Sequence, residues 1–107
     1  MTTFDERKTA FEAEFARDED LRFKVEARRN KLVGAWAAEI LGLSGEEAIA
    51  YGKEVVRADF EEAGDEDVFR KLRGDLNEAR EEVTDAEIRQ KMAECLSEAM
   101  TQIKAGK

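Results

Sequence analysis

The sequence contains no histidine and no proline among its 107 residues, and only one cysteine. Without histidine, the commonest general base, the catalytic triad and most zinc sites are excluded together. Without proline, nothing interrupts the hydrogen-bond ladder of a helix, and the turn punctuation of a β-rich chain is missing. The lone Cys95 has no partner for an internal disulfide and excludes a multi-cysteine metal site, a usage that fits a reducing compartment. Long apolar runs are also missing. The N-terminus is polar and charged, and no stretch approaches the ~20 apolar residues of a membrane span or the apolar core of a signal peptide. An intracellular, cytoplasmic protein without membrane insertion is expected. Positive charge is scarce, with 18 Lys and Arg against 26 Asp and Glu, a net charge of -8 and a pI near 4.7. That balance argues against nucleic acid as a partner, because neutralising phosphates needs clustered cations over a large footprint.

What is present points to amphipathic helices: hydrophobic residues make up 42% of the chain and charged residues 41%. A chain of this length forms one domain, burying roughly two-thirds of its extended surface around one modest core. Capping boxes at Thr3 to Glu6, Ser44 to Glu47 and Thr84 to Glu87 mark helix starts, the last reinforced by Val83 and Ile88 at hydrophobic-staple positions. Gly42 and Gly64 read as stops, with Asp65 as the restart. Between Ser44 and Ala63 the expected buried set is Ala48, Ile49, Gly52, Val55, Val56, Phe60 and Ala63. The next segment offers Val68, Phe69, Leu72, Leu76 and Ala79, and the last offers Ile88, Met92, Cys95, Leu96, Ala99 and Ile103. Cys95 falls within that last stripe and reads as a small buried hydrophobe. The fold class is therefore all-α, a helical bundle.

The segment from Asp20 to Leu41 carries two stripes, Val25, Leu32, Trp36 and Ile40 on one side and Phe23, Ala27, Gly34, Ala38 and Leu41 on the other. A helix covered on two sides is the central helix, and small residues on the second stripe let a neighbour approach closely. Arg29 projects within the first stripe, where a buried charge requires a partner, and Glu26 is the nearest candidate. Lys24, Arg28 and Lys31 form a ridge at i, i+4, i+7. Residues 21–42 hold five basic against two acidic side chains, whereas residues 1–20 hold three against seven. The ridge is either an ordinary solvated face or a site for phosphates or a partner's carboxylates.

Phe4, Phe11 and Phe15 share one side of a helical wheel, so residues 3–17 form an amphipathic segment with an aromatic face. Asp18 and Arg22 interrupt that face before Val25, which places a hinge there. A continuous helix from Phe4 to Leu41 would be roughly 57 Å long against about 30 Å for Ser44 to Ala63, so the segment overhangs the bundle unless it folds back. Fold-back packing and a partner-binding arm are both open readings. Catalysis has no foothold. Gly52-Lys53 lacks the spacing and the Ser or Thr of a phosphate loop, and Asp65-Glu66-Asp67 continues into Phe69 and Arg70 where a calcium loop needs a ligand and a glycine.

Taken together, FEAEFARDEDLRFKVEARRNKLVGAWAAEILG, DFEEAGDEDVFRKLRGDL and IRQKMAECLSEA resemble the zeta subunit family of alphaproteobacterial F-type ATP synthases. The similarity runs nearly end to end, with EARRNKL and EEAGDEDVFRK its most distinctive blocks. The resemblance implies a four-helix bundle with a labile amphipathic N-terminal segment, residues 1–19 as the inhibitory segment and residues 20–107 as the bundle domain. It implies inhibition of ATP hydrolysis by the catalytic head of the synthase, and hence a peripheral place at the inner membrane. It also implies ADP or ATP as a regulatory ligand, with no required cofactor. Phe4, Phe11 and Phe15 are then the partner-binding residues, and Lys24, Arg28 and Lys31 the nucleotide-binding ones. The alternatives are a helical adaptor or assembly factor that docks through the phenylalanine face without nucleotide, and a nucleotide sensor with another target.

Overall fold

The computed structural model describes residue 13, residues 17–58 and residues 65–106. Within these residues the chain forms α1 (Glu19–Ile40), α2 (Gly45–Ala58), α3 (Glu66–Glu78) and α4 (Asp85–Lys104), and no strand. The boundaries follow local chemistry. Asp18 leaves helical conformation at φ -102 and ψ 108, and its carboxylate accepts from the Leu21 amide, with Glu19 and Asp20 favourably placed in the first turn. At the other end Gly42 turns left-handed at φ 77, its amide donating to the Glu39 carbonyl while the Leu43 amide donates to that of Ala38. This is a Schellman stop, and glycine takes the positive φ without strain. Helix α3 stops the same way at Arg80, φ 60, where the Glu81 amide donates to the Leu76 carbonyl. Thr84 and Glu87 form the expected reciprocal capping box at the start of α4. The boxes at Thr3 and Gly64's stop lie outside the described residues.

Helix α1 is central, packing on all three others and most extensively on α2 and α4. Val25, Val33, Val55, Val68, Leu72, Leu76, Ile88 and Ala99 are fully buried, and Cys95 is buried beside Met92. Burial pushes the Cys95 thiol up, which agrees with an inert core residue.

Several expected faces are rotated. The buried side of α1 runs through Val25, Arg29, Asn30, Val33, Gly34, Ala37 and Ala38, while Leu32, Trp36 and Ile40 are only partly buried and Phe23 is 54% exposed. With neighbours on several sides, α1 buries whichever residues its partners reach, and the small ones admit the closest approach. On α2 the buried residues are Tyr51, Gly52 and Val55; Ala48 and Val56 are half-buried, and Ile49 is 62% exposed. Tyr51 buries its ring and keeps its hydroxyl satisfied by donating to the half-buried Asp75 carboxylate at 2.8 Å. Ala79 is exposed at the end of α3. Phe60 and Ala63 lie outside the described residues.

Polar contacts fasten the layers. Lys71 lies 5.2 Å from the Tyr51 ring centroid and donates to Asp75 at 3.0 Å and Glu54 at 3.3 Å, tying α3 to α2. Burial opposes the Lys71 charge, but these two carboxylates outweigh it and raise its pKa; burial, then Asp75, drives the Tyr51 phenol far above its ordinary value. Arg89 spans from α4 to Glu66 of α3 at 3.0 Å and covers the Phe69 ring at 3.8 Å. Arg29 is buried as its position demands, and its Nε donates to the Asn30 side chain at 2.9 Å. Asn30 is thus one partner of the buried guanidinium.

Candidate functional site

Helices α1 and α2 touch where side chains vanish. A β-carbon on Gly34 would lie 3.1 Å from the Gly52 α-carbon, so the two backbones meet there without intervening side chains. On the outer side of this contact lies a groove of about 820 Å³. Ala27, Ala35, Ala48 and Gly52 leave it room, and Phe23, Ile49, Val56 and Ile103, the last from α4, give it apolar walls.

Four cations rim this apolar trough: Lys24, Arg28 and Lys31 from α1, and Lys53 from α2. Among the described residues that line it there is no carboxylate. Arg28 is held by a 2.6 Å hydrogen bond from its Nη1 to Gln102 of α4, which fixes one side of the rim. Lys24, Lys31 and Lys53 are exposed. An apolar trough with positive rims suits a ligand that is flat and apolar at one end and anionic at the other. It also suits an amphipathic helix bearing carboxylates.

The structure brings together all three ridge residues inferred from the i, i+4, i+7 spacing. It adds Lys53, which sequence reasoning considered only as a failed phosphate-loop lysine. The signal for it was present in the pairing of small residues: once Gly34 faces Gly52, the neighbouring Lys53 arrives beside the ridge. Phe4, Phe11 and Phe15 lie outside the described residues, so their side chains are not part of this geometry. Among the described residues no helix is long and apolar enough to cross a membrane.

Comparison with known proteins agrees with the fold and the resemblance. A family model described as ATPase inhibitor subunit zeta matches residues 1–102. A chain solved by NMR in solution is 52% identical and superposes with a TM-score of 0.72, the match covering 81% of this chain and 99% of that one. No curated protein matches the chain.

Proposed function

The chain belongs to the ATPase inhibitor subunit zeta family, and from that premise we propose that it restrains ATP hydrolysis by an F-type ATP synthase through residues 1–19, while the bundle binds ADP or ATP in the groove between α1 and α2. The observation that carries the inhibitory reading is the reach of the family match, which includes the N-terminal segment as well as the bundle. Phe4, Phe11 and Phe15 would enter a groove between subunits of the catalytic head, the helix-in-groove mode of recognition. An inhibitor of this kind needs no catalytic residue. Binding energy available in one rotational state must be lost before the rotor advances, and that loss is the brake.

The nucleotide reading is supported by the groove's division of labour. Phe23, Ile49 and Val56 lend apolar surface to an adenine, and Lys24, Arg28, Lys31 and Lys53 lend charge to the phosphates. No backbone loop cradles the phosphates, so the attraction is that of exposed point charges, weak and easily screened by salt. A regulatory ligand sensed near its cellular concentration needs no more.

The deciding experiment measures ATP hydrolysis by the isolated catalytic head with and without the purified protein. Inhibition that disappears with the Phe11→Ala, Phe15→Ala double variant supports the arm, since aromatic anchors in a groove typically carry about 2 kcal/mol or more each. Full inhibition by that variant would move the inhibitory surface to the bundle. For the nucleotide, an ADP titration followed by amide shifts should move residues 24–36 and 49–56; shifts confined to other residues would refute this groove.

A further inference from the structure

Helices α1 and α2 do not make the groove alone. The last turn of α4 supplies Ile103 to its wall, and the preceding residue, Gln102, reaches Arg28 on its rim. Two neighbours fix the Gln102 amide, and they agree. Its Oε1 accepts from Arg28 Nη1 at 2.6 Å, and its Nε2 donates to Glu98 Oε1 at 3.2 Å, one turn back on α4. A guanidinium only donates and an ionised carboxylate only accepts, so one orientation of the amide satisfies both and the reverse satisfies neither. Arg28 and Gln102 are both half-buried, and a bond between them across two helices restricts a side chain that otherwise samples many rotamers.

An amide suits this place better than a carboxylate would. A carboxylate at position 102 would hold a guanidinium firmly and at the same time cancel charge that attracts a phosphate. The neutral carbonyl orients the guanidinium and subtracts nothing from its charge, and the bond uses one of several N–H donors. Orientation also matters more at Arg28 than elsewhere on the rim. A guanidinium is a planar fork whose direction decides which oxygens it meets, whereas the ammonium groups of Lys24, Lys31 and Lys53 act as point charges.

We infer that Gln102 is a positioning residue of the groove: its carbonyl presets the Arg28 guanidinium for contact with a ligand's phosphate, so that α4 takes part in a site walled mainly by α1 and α2. The ordering of the arginine is then met on folding and no longer opposes binding. This rests on the nucleotide reading of the groove for the identity of the ligand, while the positioning serves any ligand that presents a phosphate.

The test titrates the full chain with ADP and, separately, with inorganic pyrophosphate, reading dissociation constants from amide shifts. Gln102→Leu keeps the size of the side chain and removes the acceptor. It should weaken both probes about three- to tenfold, the span that ordering one long side chain on binding accounts for. Its urea midpoint should stay close to the parent's. Gln102→Glu supplies an acceptor that carries charge, and it should weaken both probes at least as much. The loss must run through Arg28, so on an Arg28→Ala background Gln102→Leu should have no further effect, while Lys53→Ala still weakens binding on either background. Parental affinity in Gln102→Leu or Gln102→Glu, or an equal loss from Gln102→Leu with and without Arg28, would overturn the positioning. If ADP binds in the groove and the positioning fails this way, the nucleotide reading stands. If pyrophosphate obeys the cycle and ADP leaves the groove amides unmoved, the positioning stands and the nucleotide reading falls. Binding of neither probe would overturn both.

Discussion

The same substitution, glycine to alanine, should have opposite effects at the two residues that meet between α1 and α2. A methyl group on Gly34 points at backbone, 3.1 Å from the Gly52 α-carbon and 3.4 Å from a Val55 methyl. A side chain can rotate away, but an α-carbon inside a helix cannot, so α2 must shift as a body. Overpacking of this kind costs about 1–3 kcal/mol, and alanine's advantage over glycine in a helix returns about 1 kcal/mol. Gly34→Ala should therefore be destabilised by about 1 kcal/mol. At Gly52, which lines the groove, the built methyl meets no atom of the described residues within 4 Å. Gly52→Ala should keep most of the propensity gain and be stabilised by about 0.5–1 kcal/mol. Urea unfolding of the two variants reads the difference: a separation of about 2 kcal/mol is about 1 M in midpoint at the slopes usual for small domains. Gly74→Ala, also open around its β-carbon, is the control and should follow Gly52→Ala. A Gly34→Ala protein at least as stable as Gly52→Ala would show that the helices do not touch here.

The remaining predictions concern charge and backbone. Tyr51 is the sole tyrosine, so phenolate absorbance reports on it alone. Its folded pKa is raised, so its contribution to stability is complete below the unfolded value of 10.0 and is lost as pH rises above it; phenolate should appear only as helical circular dichroism collapses, and ionisation near pH 10 in a folded protein would contradict the buried bond to Asp75. Arg29→Ala should cost on the order of 3 kcal/mol and Arg28→Ala under about 1 kcal/mol, because Arg29 alone is buried, and equal urea midpoints would refute this. Arg80→Gly should raise the melting temperature by a few degrees, since a left-handed residue with a β-carbon costs about 1 kcal/mol, partly offset by glycine's freedom in the unfolded chain. An unchanged or lower melting temperature would place the strain elsewhere.

How legible each feature was in the sequence depended on how local its cause is. Thr84 and Gly42 act through their own neighbours, so the start of α4 and the end of α1 were readable from residue type alone. The buried stripe of α4 was readable because one face of that helix is apolar. Helix α1 resisted the same reading because apolar and small residues occur on several of its sides, and its buried face is chosen by its partners. Tyr51 was missed for a related reason: it carries a polar group and is buried where the fold brings the Asp75 carboxylate to its hydroxyl; Asn30 is buried with only its neighbour Arg29 donating to its side-chain oxygen, which residue type alone does not announce. The stop at Arg80 carried no glycine to announce it. As for the site, the ridge of Lys24, Arg28 and Lys31 lies on one helix and follows from spacing. The groove beneath it needs α2 in place and so lies beyond any reading of α1 alone.

The groove face also departs from the rest of the surface in two ways at once. Fully burying a large apolar side chain stabilises a fold by roughly 1.5–3 kcal/mol, and with Phe23 and Ile49 more than half exposed a good part of that is forgone at this one place. Among the described residues the α3–α4 face exposes no large apolar side chain to that extent. There Arg89 pairs with Glu66 and Arg73 with Asp85, and the surface is an ordinary interleaving of opposite charges. Among the described residues that line the groove the charges are of one sign, on a chain whose net charge is -8. Unspent apolar surface alone would be a packing defect, and a cationic strip alone would be a solvated face. Their coincidence is what favours an occupant apolar on one side and anionic on the other, as the nucleotide proposed above is.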